Sequence, residues 1–411
     1  AKIYSDVENA GHSGFNVSFN LAGLDFNHQL QVISRYSSSA DGNSDYLDYW
    51  FAPITTGNYA NQGCLDVLNL SNAKQVTVSG WHANDISRFA TNHFLILYDD
   101  TANRQVAVIT AKNGQRPDVA RVFPAITTAG KSGFTGSFDL SNVQLVGGHT
   151  YSVVSRYSTS DQGNGGTGSC ADYWFAPVTL DQHAFFLDRV KMTDQGLQVN
   201  GWMVSDYAGN HPYAYAIVMN NGKEVARQQL TLTARPDVAR AYSNIYDSRN
   251  SGFSELIKLN PADINGSMQV ILRFSNDRDG NGNYDDQWSQ NYASNQGWFD
   301  QTNFDGQQVH VAGWHASNQS AKYQYHWLIA VDQAGHELGR WQVQNKQLER
   351  ADVGKKLSYV LNSDHSGFNL SFAVNNRMQH KVIRLIDRLT DDPNGNGHYV
   401  DFTSNSVSIN S

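Results

Sequence analysis

The 411-residue sequence is short of charge: Asp, Glu, Lys and Arg make up only 17% of it. It has no excess of positive charge, since 38 acidic and 30 basic residues leave a net charge of −8. A mildly acidic chain is a poor general electrostatic partner for nucleic acid or an anionic membrane surface. No apolar run approaches the roughly 18 residues of a membrane span, so no membrane insertion is expected. Cysteine is limited to Cys64 and Cys170, which settle little by themselves. The opening AKIYSDVENA has no apolar leader stretch, and the sequence reads as a mature or trimmed piece of something larger. Aromatic residues, in contrast, are plentiful at 12%, with 9 Trp, 20 Tyr and 19 Phe. Disordered chains are aromatic-poor and charge-rich, so an ordered chain of about two to four domains is expected.

Internal repetition is the dominant signal. Ser-Gly-Phe occurs at Ser13, Ser132, Ser251 and Ser366, in steps of 119, 119 and 115 residues. Gly-Trp occurs at Gly80, Gly201 and Gly313, in steps of 121 and 112. Asp-Val-Ala-Arg begins at Asp118 and Asp237, and a variant, Asp-Val-Gly-Lys, at Asp352. Each unit therefore has a Gly-Trp half and a Ser-Gly-Phe half. Whole repeats fit 63–180, 181–294 and 295–411, with 1–56 as the second half of an incomplete repeat. A half-unit this small struggles to bury a core alone. A phase shifted by half a unit would instead leave the orphan at the C-terminus.

Within a unit the pattern is that of strands. Gln75–Trp81, Leu197–Trp202 and Val309–Trp314 alternate apolar and polar residues, the period-2 signature of half-buried strands. Asn-Gly, Gly-Asn and Asp-Gly pairs punctuate them. The expectation is an all-β chain of tandem β-sandwich repeats of about 115 residues, immunoglobulin-like or carbohydrate-binding-module-like. Without βαβ alternation, an α/β enzyme core is not expected.

Each unit ends in a hairpin with a polar tip. Arg35 and Asp48 are symmetric about the Asp41–Gly42 bond, and Arg273 and Asp286 about Asp279–Gly280. An antiparallel hairpin turning at those points sets each Arg opposite its Asp. The pairs Arg35–Asp48, Arg156–Asp172, Arg273–Asp286 and Arg388–Asp401 are expected to fix strand register. The tips are also calcium candidates, because oxygen ligands at alternate positions around glycine suit a hard cation. The strongest set is Asp277, Asp279, Asn281 and Asn283, followed by Asp41, Asn43 and Asp45. The alternative is a plain polar turn. No cofactor is required.

The tryptophans pose a parity problem. Val76, Val78 and Gly80 share one strand face, and Trp81 lies on the other with Gln75, Thr77 and Ser79. Either a bulge at the glycine turns the Trp inward, or Trp81, Trp202 and Trp314 form aromatic platforms for sugar rings. Trp50, Trp174 and Trp288, just after the hairpins, and Tyr213 and Tyr323 are further glycan-contact candidates. Cys64 opens the first whole repeat and Cys170 precedes its last strand, so a disulfide between them is one option and two free thiols the other. No catalytic motif is present, and an enzyme is not expected.

The GWHA (80–83, 313–316), RPDVAR (116–121, 235–240), SGF, SRY and DYWFAP (48–53, 172–177) strings resemble tandem repeats in secreted, cell-wall-associated proteins of lactobacilli. The resemblance covers essentially the whole chain. It implies the non-catalytic region of a wall-lytic enzyme or surface protein, secreted and held at the cell wall by a glycan or polysaccharide. Tandem copies would bind by avidity. The competing expectation is a structural stalk or adhesin, stiffened by calcium at the hairpin tips. Met203 in the middle copy, and the missing Trp-Phe-Ala-Pro ending of the last, depart from the pattern.

Overall fold

The computed structural model describes residues 3–19, 29–55, 60–163 and 170–409. The chain divides into two compact units, Ala1–Leu68 with Thr77–Phe138 and Tyr151–Val178, and Asn69–Val76 with Asp139–Thr150 and Thr179–Ser411.

The central repeat, wholly inside the second unit, shows the pattern. Its strands are β1 (His183–Thr193), β2 (Gly196–Ser205), β3 (Tyr213–Asn220), β4 (Lys223–Gln229), β5 (Thr233–Ala234), β6 (Asn250–Lys258), β7 (Ser267–Ser275) and β8 (Tyr284–Trp288), with a short helix α1 (Pro236–Ala241) between β5 and β6. One antiparallel sheet has the order β1-β2-β6-β5, the other β4-β3-β7-β8. The same pair of sheets recurs around Asn61–Trp174 and Asn295–Ser408. A four-strand sheet facing a C′-C-F-G-type sheet is the immunoglobulin-like Greek key, so the chain is built of tandem immunoglobulin-like β-sandwich domains.

Alternation along the strands builds the core. Leu197 and Val199 of β2, Phe253 and Ile257 of β6, Ala214, Ala216 and Val218 of β3, and Val270, Leu272 and Phe274 of β7 meet in one buried cluster. The phenylalanine of the Ser-Gly-Phe tripeptide is a core residue in the three whole repeats, as Phe134, Phe253 and Phe368, whereas Phe15 of the first tripeptide is exposed. Its glycine is constrained by neighbours: a Cβ on Gly133, Gly252 or Gly367 would crowd Cγ of Arg116, Arg235 or Arg350.

The parity problem resolves on the neighbouring strand. β2 pairs with β6 without a break from Gly196 to Trp202, so the Gly-Trp strand has no bulge there. The irregularity lies in β1, between Leu187 and Arg189, and between Phe299 and Gln301 in the next repeat. At that point the strands come close, and a Cβ on Gly80, Gly201 or Gly313 would strike the carbonyl of Cys64, Phe186 or Trp298. This is why the motif carries glycine. The tryptophan stays on the outer sheet face, where the short helix and its following loop cover it.

Candidate functional site

Bulge, helix and Ser-Gly-Phe strand converge on one arginine per repeat. The residue extruded at the bulge is an aspartate, Asp188 or Asp300, with Asp66 in the same position of the first repeat. Arg116 Nη1 donates to Asp66 at 2.7 Å and its Nη2 to Asp118 at 2.8 Å. Arg235 joins Asp188 and Asp237 at 3.3 and 2.7 Å, and Arg350 joins Asp300 and Asp352 at 2.6 and 2.8 Å. The hydrogen bond from each Arg holds Asp118, Asp237 and Asp352 at about 2, below the usual carboxylate range. A reading confined to the RPDVAR string finds the near aspartate but misses the bulged one.

Trp81, Trp202 and Trp314 are half-buried and neither enter the inter-sheet core nor lie open as platforms. Trp81 packs on Phe123 at 5.5 Å between ring centroids, and Trp202 on Tyr242 at 5.0 Å. Trp314 packs with Val353, Leu357 and Val360. Trp50, Trp174 and Trp288 are exposed instead, the last two at 50% and 48%, and so is Trp298, at 57%, which the sequence reading did not single out. Trp174 meets the Tyr98 ring edge-on at 5.3 Å. Tyr213 packs against the outer-face cluster of Tyr215, Ile217 and Ile271, and Tyr323 is half-buried.

The hairpins are clasped by charge. Arg273 stands opposite Asp286 in the ladder, and its Nε and Nη2 donate to the two carboxylate oxygens at 2.6 and 2.7 Å. Its Nη1 donates to the Gly280 carbonyl at 2.8 Å, and the guanidinium lies 3.6 Å above the Tyr284 ring. Gly280 has φ +74°, as the turn requires. Arg35–Asp48, Arg156–Asp172 and Arg388–Asp401 repeat the bidentate pair. Their Nη1 atoms reach Gly42, Gly163 and Gly395. Cys170 occupies the position of the stacked tyrosine in the first whole repeat.

The calcium candidates meet a competing cation. Arg227 Nη1 donates to the Asp279 carbonyl at 2.6 Å and to Asn281 Oδ1 at 2.9 Å. Arg340 does the same to Asn394 and Asn396, at 2.6 and 2.8 Å. A guanidinium thus takes oxygens that a calcium loop would offer. Asp277 Oδ1 accepts from Asp279 N at 3.2 Å, and the Asn283 carbonyl from Asn276 N at 3.0 Å. In the first hairpin Asp41 accepts from Asn43 N at 3.2 Å, and Asp45 lies at φ +38°. Among the described residues no group of three or more His, Cys, Asp or Glu is placed to hold a metal.

The disulfide option is corrected: Cys64 and Cys170 are free, exposed thiols. Asn61 Nδ2 donates to the Asp172 carbonyl, and Gly63 abuts the Tyr173 and Phe175 rings. The two segments therefore run in the same direction, with 61 level with 172. Cys64 lies three residues beyond that level and Cys170 two before it, about five residues or roughly 16 Å apart at 3.3 Å per residue. A disulfide needs the Cα atoms within about 7 Å.

Sequence reading missed a buried polar site between the sheets. In the first whole repeat Ser155 Oγ bridges His82 Nδ1 at 2.8 Å and His93 Nε2 at 2.7 Å. In the last, Asp387 bridges His315 Nδ1 and His326 Nε2, each at 2.6 Å. The central repeat has Met203, Ala214 and Leu272 at those positions, all buried. Burial, with the neighbouring His93 charge, pushes His82 down to about 3; burial, against an Asn113 hydrogen bond, pushes His93 down to about 4. Burial pushes the Asp387 carboxyl up, but the charges and hydrogen bonds of His326 and His315 outweigh it and hold it at about 2. The signal in the sequence was the co-substitution of the three positions from repeat to repeat.

The larger open groove, about 870 Å³, lies beside Val190–Asp194 and Lys355–Asn362. A backbone hydrogen bond, Met192 N to the Ser358 carbonyl, already joins its two sides. No helix among the described residues is long and apolar enough to cross a membrane.

No protein-family model and no curated protein matches the chain. Among solved structures, latent PorU from Porphyromonas gingivalis aligns with 90% of this chain at 11% identity and a TM-score of 0.19, and the chain spans only 35% of that one. The ICAM-5 D1–D4 ectodomain fragment aligns with 93% of this chain and 83% of its own, at 10% identity and a TM-score of 0.20. Chicken CNTN1 FN1–FN3 domains align with 85% and 97%, at 8% identity and 0.19. The fold assignment rests on the strand order described above.

Proposed function

We propose that the chain is a non-catalytic repeat segment of a secreted, wall-associated protein, in which the domains act as a jointed spacer. The observation that carries this reading is a joint that recurs inside the second unit. Leu70 N donates to the Ser243 carbonyl at 2.7 Å, and Met192 N to the Ser358 carbonyl at 2.9 Å, at equivalent positions of successive repeats. Within each downstream repeat a side chain fixes the loop that makes this contact: Asp206 accepts from Tyr246 N at 2.8 Å, and Asn318 from Leu361 N at 2.7 Å. Leu361, from the last repeat, is buried in the core cluster of the central one, and Tyr359 meets Tyr292 at 4.8 Å. Repeats coupled through nearest-neighbour interfaces unfold together.

Truncating Leu361 removes a buried side chain at the joint. Leu361→Ala is expected to cost about 3 kcal/mol and to split a single calorimetric transition of the last two repeats into two. Independent melting of those repeats in the unmodified chain would refute the spacer reading.

A second reading, glycan attachment by avidity, is favoured by the exposed Trp174 and Trp288. Aromatic faces suit sugar C–H surfaces, and weak sites add in tandem. The double variant Trp174→Ala, Trp288→Ala is then expected to lose retention on purified cell walls by about tenfold or more. Unchanged retention rejects that reading and leaves the spacer untouched.

A further inference from the structure

The last repeat contains a cleft that its two siblings fill. In the first whole repeat Tyr157 stands opposite His93 in the strand ladder. The two rings stack at 4.2 Å, and the Tyr157 hydroxyl donates to the His82 carbonyl at 3.0 Å. In the central repeat Phe274 stands opposite Ala214 and is buried. In the last repeat the equivalent pair is Leu389 and His326. Leucine fills less of the space beside the histidine than an aromatic ring does, and a cleft of about 650 Å³ lined by both residues lies there. That is within the roughly 300–1,000 Å³ typical of small-molecule sites.

His326 is the polar anchor. It is 5% exposed, and its Nε2 is held by Asp387 Oδ2 at 2.6 Å. In the first whole repeat the corresponding Nδ1, on His93, is satisfied by Asn113 at 2.7 Å. The position of Asn113 is taken by Gln347, which has φ +59° and lines the same cleft. Among the described residues His326 Nδ1 has no hydrogen-bond partner, and it is not among the fully enclosed unpaired polar atoms, so it is left to the cleft that the residue lines. The histidine cannot swing away, because Asp387 is itself fully buried and also bonded to His315. Tyr323, Tyr325, Ser320 and Lys346 complete the lining. Tyr323 stands where the first repeat has Ala90, whose methyl packs against Tyr157. One repeat thus closes this space with its own aromatic ring, whereas the other sets aromatic rings around an opening.

We propose that this cleft is a binding site for one neutral, hydroxyl-bearing sugar ring, with His326 Nδ1 as the central hydrogen-bond partner. A hydroxyl both donates and accepts, so it satisfies Nδ1 in either protonation state of the imidazole. Tyrosines offer an apolar face with a polar edge, which suits a pyranose. The ligand takes the space that Tyr157 and Phe274 occupy in the other repeats. The site is independent of the spacer reading and of the outer-face tryptophans.

The test is an NMR titration of the full chain with methyl glucoside, methyl galactoside, methyl rhamnoside and N-acetylglucosamine. The readouts are the His326 imidazole nitrogens and the amides of Tyr325–Val331. At least one sugar is expected to shift them saturably. Leu389→Tyr and Leu389→Phe, which restore the sibling fillers, are expected to weaken that binding by about tenfold or more, without lowering the melting temperature. The Trp174→Ala, Trp288→Ala variant is expected to leave it unchanged. No shift with any of the four sugars, or equal binding by the filled variants, overturns the proposal. A loss of binding in the tryptophan variant also overturns it, by moving the site to the outer face.

Discussion

Lowering the pH from 7 to 5 is expected to loosen the first whole repeat while leaving the central one intact. His82 and His93 are ordinary histidines in the unfolded chain, near 6.5, but burial pushes them down to about 3 and 4 in the fold. The unfolded state therefore binds more protons throughout that window. Stability is complete above pH 6.5 and falls as pH drops towards 4. At pH 5 each histidine forfeits about 2 kcal/mol, or about 4 kcal/mol together, a large share of a small domain's stability. Met203, Ala214 and Leu272 give the central repeat no such dependence. Asp387 in the last repeat is held low, so its contribution is lost only as pH falls below about 4. Asp247, pushed up to about 6 by burial, moves the opposite way and stabilises on acidification. Peptide-resolved hydrogen exchange separates these contributions. Protection of Gln75–Asn84 and Asn92–Asp99 should fall at pH 5, while Gly196–Ser205 and Tyr213–Asn220 hold. Grafting the central triad, as His82→Met with His93→Ala and Ser155→Leu, should abolish the difference. Equal protection in both repeats at pH 5 would show that the buried histidines are not held neutral.

How much of this was legible in the sequence depends on how many strands an inference had to cross. Strand character and repeat length were readable, because alternation and spacing are properties of one segment. The hairpin clasp involves two strands joined by a short turn, and the midpoint arithmetic at Asp279–Gly280 places Arg273 opposite Asp286, the pairing seen in the ladder. The position of Trp81 was not readable, because it depends on a third element. Parity along Gln75–Trp81 puts the ring on the outer face, but only the helix at Pro117–Val122 decides that this face is covered. The aspartates 66, 188 and 300 escaped for the same reason, since a bulge is visible only against its partner strand. The calcium reading followed from a loop considered alone. Arg227 reaches that loop from a strand about 50 residues earlier, and its guanidinium is invisible to any local motif. Position-by-position alignment of the repeats carried more than was taken from it. The substitutions Tyr157, Phe274 and Leu389 opposite His93, Ala214 and His326 already mark the last repeat as different.

The other large effect is expected from removing a clasp arginine, and its size separates a working clasp from an ornamental surface pair. Arg273 and Asp286 retain only 11% and 14% side-chain exposure, so the pair is largely withdrawn from water. Arg273→Ala leaves the Asp286 carboxylate without the two guanidinium donors, the Gly280 carbonyl without the bond from Nη1, and the Tyr284 ring uncovered. Breaking a buried pair from one side costs more than the pair contributes, because the surviving charge stays desolvated. A loss of about 3 kcal/mol is expected, at the lower end of the range for buried pairs. It would be read as a lower urea midpoint for the central repeat. Replacing both partners, as Arg273→Leu with Asp286→Leu, should cost less than the single change, because no orphan charge remains. Arg35–Asp48 provides the internal contrast. It has the same bidentate geometry, but Arg35 is 34% exposed, and solvent screens such pairs to small effects. Arg35→Ala should therefore shift stability far less than Arg273→Ala. Equal effects at the two sites would mean that geometry alone, and not withdrawal from water, sets the strength of the clasp.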